Sequence, residues 1–404
     1  MTVPAKTRWE IVALAVGAGI VAAAHVGKLP PALSALRADL DLSLVAGGWV
    51  VSTFSVTGMM VAVLAGTVAD RVGHWRLVLA GLAALLIGSA LGAFAGGGAA
   101  LLFSRFLEGL GFISVAVSVP SVILRAAVPG DRRLALGLWG AYMPAGTALM
   151  MVASPAVLAL AGWRVLWAAA AALALLWMAA MLLVGRAAPP GRPAGPAGSA
   201  AGNIRLAAAQ PGTWLLALCF ALYTIPWLAL MVWLPSFMIE TRGIGTATAA
   251  TLTALVVAMN VPGNLTAGWL LHRGARHWAL IAVAAGIMGL CTLGIFAAAL
   301  PDLLRYALCL VFSLVGGMLP TAVLSGAPVF APGLGQVGTT NGMLVQGSNT
   351  GQVIGPPAIA AAVQAAGNWE AAGILMLAAC AAATLGALAL RPIEKRRRAA
   401  DGTD

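Results

Sequence analysis

The chain has 404 residues, 61% of them hydrophobic and 9% charged, with a formal net charge of +11; ordinary soluble domains carry roughly 25% charged residues. That balance excludes a soluble globular protein. Because long apolar runs recur in place of short alternating segments, it also excludes a closed β-barrel. Basicity alone would point to nucleic acid, but the placement of the charges points elsewhere.

In chain order, apolar segments fall at 10–33, 45–68, 76–95, 99–124, 134–158 and 164–184, then at 213–238, 247–271, 277–299, 303–326, 338–363 and 369–390. Each exceeds the ~18 residues a helix needs to cross hydrocarbon, so the expected fold class is an all-α membrane protein with twelve spans. The first segment follows basic residues (KTRWE) and ends in alanines, as a secretory signal does. It is read as a span, since removing it would leave an odd set of eleven.

Residues 186–212, rich in proline, glycine and alanine, separate the sixth segment from the seventh and read as a linker. The expected organisation is an N-terminal six-helix bundle over 1–185, a cytoplasmic linker over 186–212, a C-terminal bundle over 213–392 and a basic cytoplasmic tail over 393–404. With the N-terminus inside, seventeen basic residues fall on inner segments. Lys28, Arg37, Arg164, Arg242 and Arg305 are left outside, with Lys28 counted generously. The basicity therefore reports topology through the positive-inside rule. The tail sequence EKRRR leaves a nucleic-acid or lipid patch as an alternative. Cys219, Cys291, Cys309 and Cys380 lie in apolar runs without Cys-x-x-Cys spacing and read as small buried residues.

The two halves echo each other. GTVADRVGHW from Gly66 aligns with GWLLHRGARHW from Gly268, Ser154-Pro155 with Gly355-Pro356, and Trp163 with Trp369, at offsets of 202, 201 and 206. Such repeats characterise transporters that bind substrate near the membrane midplane and rock around it.

GTVADRVGHWR, with Gly66, Asp70, Arg71, Gly73 and Arg76, resembles the loop signature between the second and third spans of the major facilitator superfamily. Arg105, Gly109 and Gly111 of SRFLEGLG resemble that family's fourth-span pattern, and GWR at 162–164 its usual start to the sixth span. The resemblance covers the whole chain and implies two pseudo-symmetric six-helix bundles working by alternating access. It also implies a cytoplasmic gate at Gly66, Asp70, Arg71, Gly73 and Arg76. A carboxylate at Asp70 can cap a neighbouring helix and pair with basic groups in one rocking state. The family's antiporter signature is poorly kept in the fifth span, MPAGTALMMVASPAV. It survives better in the eleventh, at Gly342, Gly351, Gly355 and Pro356, where close packing and a bend explain the residues equally well.

Four ionisable groups lie inside spans: His25 and Lys28 in the first, Arg105 and Glu108 in the fourth. A charge at a helix centre costs roughly 2.5–3.5 kcal/mol on insertion scales, so intramembrane charges face cavities or partners. Each pair is spaced i,i+3 and shares a helix face. Arg105 and Glu108 form an internal ion pair, or Glu108 takes a proton and releases Arg105 to an anion. Lys28 has no carboxylate at its own i+3 or i+4; it either snorkels outward or faces the cavity, as the resemblance implies. His25 titrates near neutrality and is a candidate proton relay. The C-terminal half offers amides: Asn341, Ser348 and Gln352 on one face of the eleventh span, and Asn260 with Asn264 in the eighth. Tyr142, Tyr223 and Trp227 are candidate cavity walls.

Lys28, Arg105, Tyr142, Tyr223, Trp227, Asn260, Asn341 and Gln352 are thus the candidate substrate residues, and His25 and Glu108 the proton carriers. The expected function is secondary active transport of a small organic or inorganic anion across a bacterial inner membrane, in symport with protons and with both termini cytoplasmic. The alternative is proton-driven efflux of drugs or metabolites. The partners are a small anion, protons and the bilayer, with no nucleic acid, and the chain is expected to act as a monomer. No phosphate loop, His-Glu-x-x-His motif, metal set or cofactor motif points to an enzyme.

Overall fold

The computed structural model of the chain describes residues 6–128, 131, 135, 138–140, 142–185, 200–297, 299–333 and 336–400, with only the backbone described for 62–71, 185, 200, 201 and 400. Among the described residues all regular structure is helical. In chain order the helices are α1 (Trp9–Gly27), α2 (Leu29–Asp39), α3 (Leu44–Val72), α4 (His74–Ala93), α5 (Gly98–Ala126), α6 (Tyr142–Gly185), α7 (Ala200–Ala208), α8 (Pro211–Arg242), α9 (Thr246–Ala258), α10 (Asn260–His272), α11 (His277–Ile295), α12 (Asp302–Gly316), α13 (Met318–Phe330), α14 (Val337–Ala366) and α15 (Glu370–Ala400).

Prolines decide where the spans are interrupted. The break between α1 and α2 falls at Lys28, two residues before Pro30-Pro31; that between α9 and α10 at Met259, before Pro262; that between α12 and α13 at Gly317, before Pro320. A proline supplies no N–H to the carbonyl four residues earlier, and its ring crowds that carbonyl. Lys28, Met259 and Gly317 keep right-handed helical dihedrals, so each pair bends without separating. Among the described residues, ten helical stretches are long and apolar enough to span a membrane, with α1–α2, α9–α10 and α12–α13 each counting as one. One of the ten, Tyr142–Val184, is 43 residues long and is broken at Gly162, whose φ of 78° favours glycine. The thirty residues of α14 are long enough but carry too many amides and hydroxyls to register by hydropathy. Counting both is consistent with twelve crossings.

The helices group into two compact units. One comprises the described residues of Met1–Gly195 and Pro235–Ala254, the other those of Pro196–Leu234 and Leu255–Asp404. The division passes through α8 and α9 as well as the proline-rich segment. Within the first unit Arg37 of α2 pairs with Glu240 near the end of α8 at 3.7 Å.

Its core is built from Ile11, Val12, Ala18 and Val21 of α1, Val78, Leu82 and Leu85 of α4, Val115, Val119 and Ile123 of α5, and Ala174 and Met181 of α6. Lipid is as apolar as these side chains, so close packing rather than water exclusion holds such helices together. The α4–α5 contact shows how close: a Cβ on Gly81 would lie 2.7 Å from the Gly111 carbonyl oxygen, and one on Gly111 2.5 Å from that of Gly81. In the second unit Gly351 of α14 lies against α8 in the same way, its Cβ position 2.1 Å from the Ala221 carbonyl oxygen.

The internal repeat is visible in matching hydrogen bonds. Thr147 of α6 donates to the Ala23 carbonyl of α1 at 3.5 Å, and Thr224 of α8 donates to the Ser348 carbonyl of α14 at 2.9 Å. Thr224 lies 201 residues after Ala23, and Ser348 lies 201 after Thr147. The donor side is exchanged, but the helices paired are equivalent.

Two segments differ from their compositional reading. The nine residues of α7 fall inside the region read as a linker, and Gln336 donates to Asn203 there at 3.0 Å. The basic tail does not begin as a free segment at 393, because α15 continues to Ala400. Glu394 accepts the backbone N–H groups of His277 and Trp278 at 3.0 Å each, capping α11, and lies 3.1 Å from both His277 Nδ1 and Arg398. Arg397 donates to the Ala331 carbonyl and to Gln210, each at 2.8 Å. A carboxylate at a helix N-terminus answers otherwise orphaned N–H groups and the helix dipole. Glu394→Ala is expected to cost roughly 1–2 kcal/mol, read as a lower melting temperature in detergent, with Glu394→Gln intermediate. Unchanged melting of the alanine variant would remove the cap from the list of stabilising contacts.

Candidate functional site: a buried charge cluster

The bend at Lys28 brings α1 against α5. On α5, Arg105 and Glu108 are one helical turn apart and face the same way. The side chains of His25, Lys28, Arg105 and Glu108 are each 0–1% exposed. Four sequence candidates from two helices therefore meet at one place.

Glu108 is the hub. Its Oε1 lies 2.5 Å from Lys28 Nζ and 3.4 Å from His25 Nδ1, and its Oε2 is paired with Arg105 Nη1. Arg105 also donates to the His25 carbonyl at 2.9 Å and, more weakly, to the Val50 carbonyl of α3 at 3.4 Å. Lys28 Nζ donates to Ser89 of α4 at 2.6 Å, and Ser89 passes the chain on to the Trp167 carbonyl of α6 at 2.8 Å. Both cations also lie over aromatic rings, Lys28 at 4.4 Å from the Trp167 centroid and Arg105 at 4.6 Å from that of Phe54.

The i,i+3 pair of Arg105 and Glu108 is present, but it is shared. The missing carboxylate partner of Lys28 comes from another helix, eighty residues on, so its ammonium is buried rather than drawn out to a headgroup region. With His25 neutral and Glu108 ionised, two cations face one anion and one positive charge is in excess. His25 Nε2 is buried without a hydrogen-bond partner, as is Trp167 Nε1. Buried charges are tolerated when paired and hydrogen-bonded, and this cluster meets that condition for every charge but one.

Ser89, Phe54 and Trp167 were not found by reasoning on charge. Ser89 carried a weak signal as a hydroxyl in the apolar run LLIGSALGA; the two aromatics carried none, because most aromatics in spans serve packing.

Tyr142 lies on α6 in the same unit, stacked on Trp139 with centroids 3.8 Å apart and planes 9° from parallel. Phe112, one turn after Glu108, links it to Phe54, with centroids 6.4 Å from Tyr142 and 5.2 Å from Phe54.

The remaining substrate candidates belong to the second unit. One end of the Asn260 amide meets the Tyr223 hydroxyl at 3.3 Å, Trp227 Nε1 at 3.2 Å and the Gly317 N–H at 3.1 Å. The Tyr223 and Trp227 rings stack at 6.3 Å. Asn260, Tyr223 and Trp227 thus come together at the α9–α10 and α12–α13 bends. Asn341 and Gln352 lie apart along α14: the Asn341 Oδ1 is buried and unpaired, and Gln352 donates to Ser348 at 3.2 Å. Of the gate positions, the side chains of Gly66, Asp70 and Arg71 lie outside the described residues. Gly73 turns the chain between α3 and α4 with a φ of 98°, and Arg76 is exposed in the first turn of α4. Among the described residues no group of three His, Cys, Asp or Glu is placed to hold a metal, and the four cysteines are buried and free.

The profile of the Major Facilitator Superfamily matches residues 14–342. The chain belongs to this family, whose members are membrane-embedded transporters. A Mycobacterium tuberculosis protein named for nitrate and nitrite transport, NarK2, is 28% identical over 358 residues, 87% of this chain and 88% of that one. A Bacillus subtilis protein named for niacin and nicotinamide transport, NiaP, is 26% identical over 66% of this chain and 67% of its own length. The methylenomycin A resistance protein of Bacillus subtilis is 30% identical, over 38% of this chain and 33% of its own. A bacterial homologue of the human lysosomal transporter Spinster, solved inward-facing and unoccupied, superposes with a TM-score of 0.77 at 16% identity, over 96% of this chain and 97% of that one. That likeness carries the fold alone.

Proposed function

We propose that this transporter moves a small anion together with protons, as a monomer in the bacterial inner membrane with both termini cytoplasmic. The observation that carries the reading is that one carboxylate, Glu108, holds two cations, Lys28 and Arg105, in a fully buried cluster. A proton on Glu108 removes the negative charge that satisfies them. Both cations then need a new counter-charge, and an incoming anion supplies it. Proton and anion are bound in one state and released in the other, which makes the coupling a symport.

His25, 3.4 Å from Glu108, relays that proton in this reading. Tyr142 in the first unit and Tyr223, Trp227, Asn260, Asn341 and Gln352 in the second supply the aromatic and amide contacts of substrate recognition in this reading. Gly66, Asp70, Arg71, Gly73 and Arg76 form the cytoplasmic latch. No cofactor is required, since ion gradients drive transport. The relative aligned over most of both chains, named for nitrate and nitrite transport, supports an anionic substrate.

Proton-driven drug efflux is the second reading, supported by the relatives named for resistance, which align over less than half of this chain. Uptake into proteoliposomes decides between them. With nitrate, acetate and benzoate as substrates, accumulation is expected only when the outside is made acidic. Movement restricted to cations or neutral compounds would overturn the anion reading.

A further inference from the structure

The charge cluster does not stand alone: an aromatic wall begins where it ends. Arg105, Glu108 and Phe112 lie at i, i+3 and i+7 on α5 and so share a face. Phe112 is half-buried, and from it the rings run to Phe54, under the Arg105 guanidinium, and to the half-buried Tyr142 and Trp139. One turn of helix, about 5.4 Å, separates Glu108 from the wall along α5. The cluster supplies two further observations. It carries a single positive charge in excess, and it contains a fully buried ring nitrogen, His25 Nε2, with no protein partner.

Resting on the anion reading above, we propose that the substrate is an aromatic monocarboxylate. Its carboxylate takes the place of Glu108 on Lys28 and Arg105, and its ring lies against Phe112 and Tyr142. A monocarboxylate replaces the one negative charge that a proton on Glu108 removes, so the cluster keeps its balance of two cations and one anion. A planar ring offers the half-buried aromatic faces an offset-stacked or edge-on partner; a saturated ring of similar size has no π face to offer. An inorganic anion would use the charges and leave the wall idle.

The test compares three anions on the full chain in proteoliposomes: benzoate, cyclohexanecarboxylate and nitrate. Benzoate is expected to half-saturate uptake at about tenfold lower concentration than cyclohexanecarboxylate, the span of a good aromatic contact. Tyr142→Leu and Phe112→Leu are each expected to raise the half-saturating concentration for benzoate about tenfold more than that for nitrate, and Tyr142→Phe to change the ratio of the two by less than about twofold. Phe112 packs on the core, so melting in detergent is measured beside transport, and the Tyr142 variants carry the test if Phe112→Leu does not fold. Equal handling of benzoate and cyclohexanecarboxylate, or equal loss of benzoate and nitrate in Tyr142→Leu, overturns the aromatic assignment while leaving anion transport in place. Failure of every anion to move overturns both.

Discussion

Glu108→Gln is expected to destabilise the protein by roughly 3–5 kcal/mol, the usual loss when one partner of a buried ion pair is removed. The cost arises from what remains. Lys28 and Arg105 stay at 0% and 1% exposure with no negative charge near them, and a glutamine oxygen satisfies hydrogen bonds but not charge. A second substitution set separates this from any intrinsic worth of the cluster. Replacing all three charges, as Lys28→Met, Arg105→Met and Glu108→Leu together, leaves an apolar site of similar volume, and such replacements are often neutral or stabilising. The expected result is a triple variant that melts near or above wild type in detergent and transports nothing. The charges would then be kept for function at a cost to stability. A triple variant less stable than Glu108→Gln would make the cluster a structural staple instead.

The membrane class and the extent of the spans follow from local composition, which is why they were legible. Hydropathy needs only a window of about 20 residues. The pairing of Lys28 with Glu108 was not, because it joins residues eighty positions apart and depends on which way the end of α1 faces at the Lys28 bend. Proline signals that a helix breaks, but not which neighbour the freed turn will face. The same holds for Ser89, whose role rests on the packing of α4 between Lys28 and Trp167. Glu394 illustrates a different gap. In sequence it opens a run of basic residues and reads as part of a charged tail, whereas in the fold it points back at the N-terminus of α11, a contact across 117 positions. Motif reasoning found the helices that carry the charges and stopped where tertiary geometry begins.

Lys28→Ala should lower anion uptake by about tenfold to a hundredfold, the range expected for losing a charge-assisted hydrogen bond of about 1.5–3 kcal/mol. Without Lys28, a proton on Glu108 leaves Arg105 as the one cation of the pair that can take an anion, where wild type has two. Glu108 keeps Arg105 and His25 as neighbours, so this variant leaves no bare buried charge and is expected to fold better than Glu108→Gln. Lys28→Arg is the informative companion. It keeps the charge but replaces a point ammonium by a planar fork that the 2.6 Å contact to Ser89 does not fit, so part of the uptake should return while its half-saturating concentration stays high. Under the efflux reading the same substitution removes a charge that an apolar or cationic drug would have to avoid, and resistance should persist or improve. Measuring anion uptake and drug efflux on the same Lys28→Ala preparation therefore gives opposite outcomes for the two readings; retained anion uptake would show that Lys28 is a packing partner of Glu108 and no part of the substrate site.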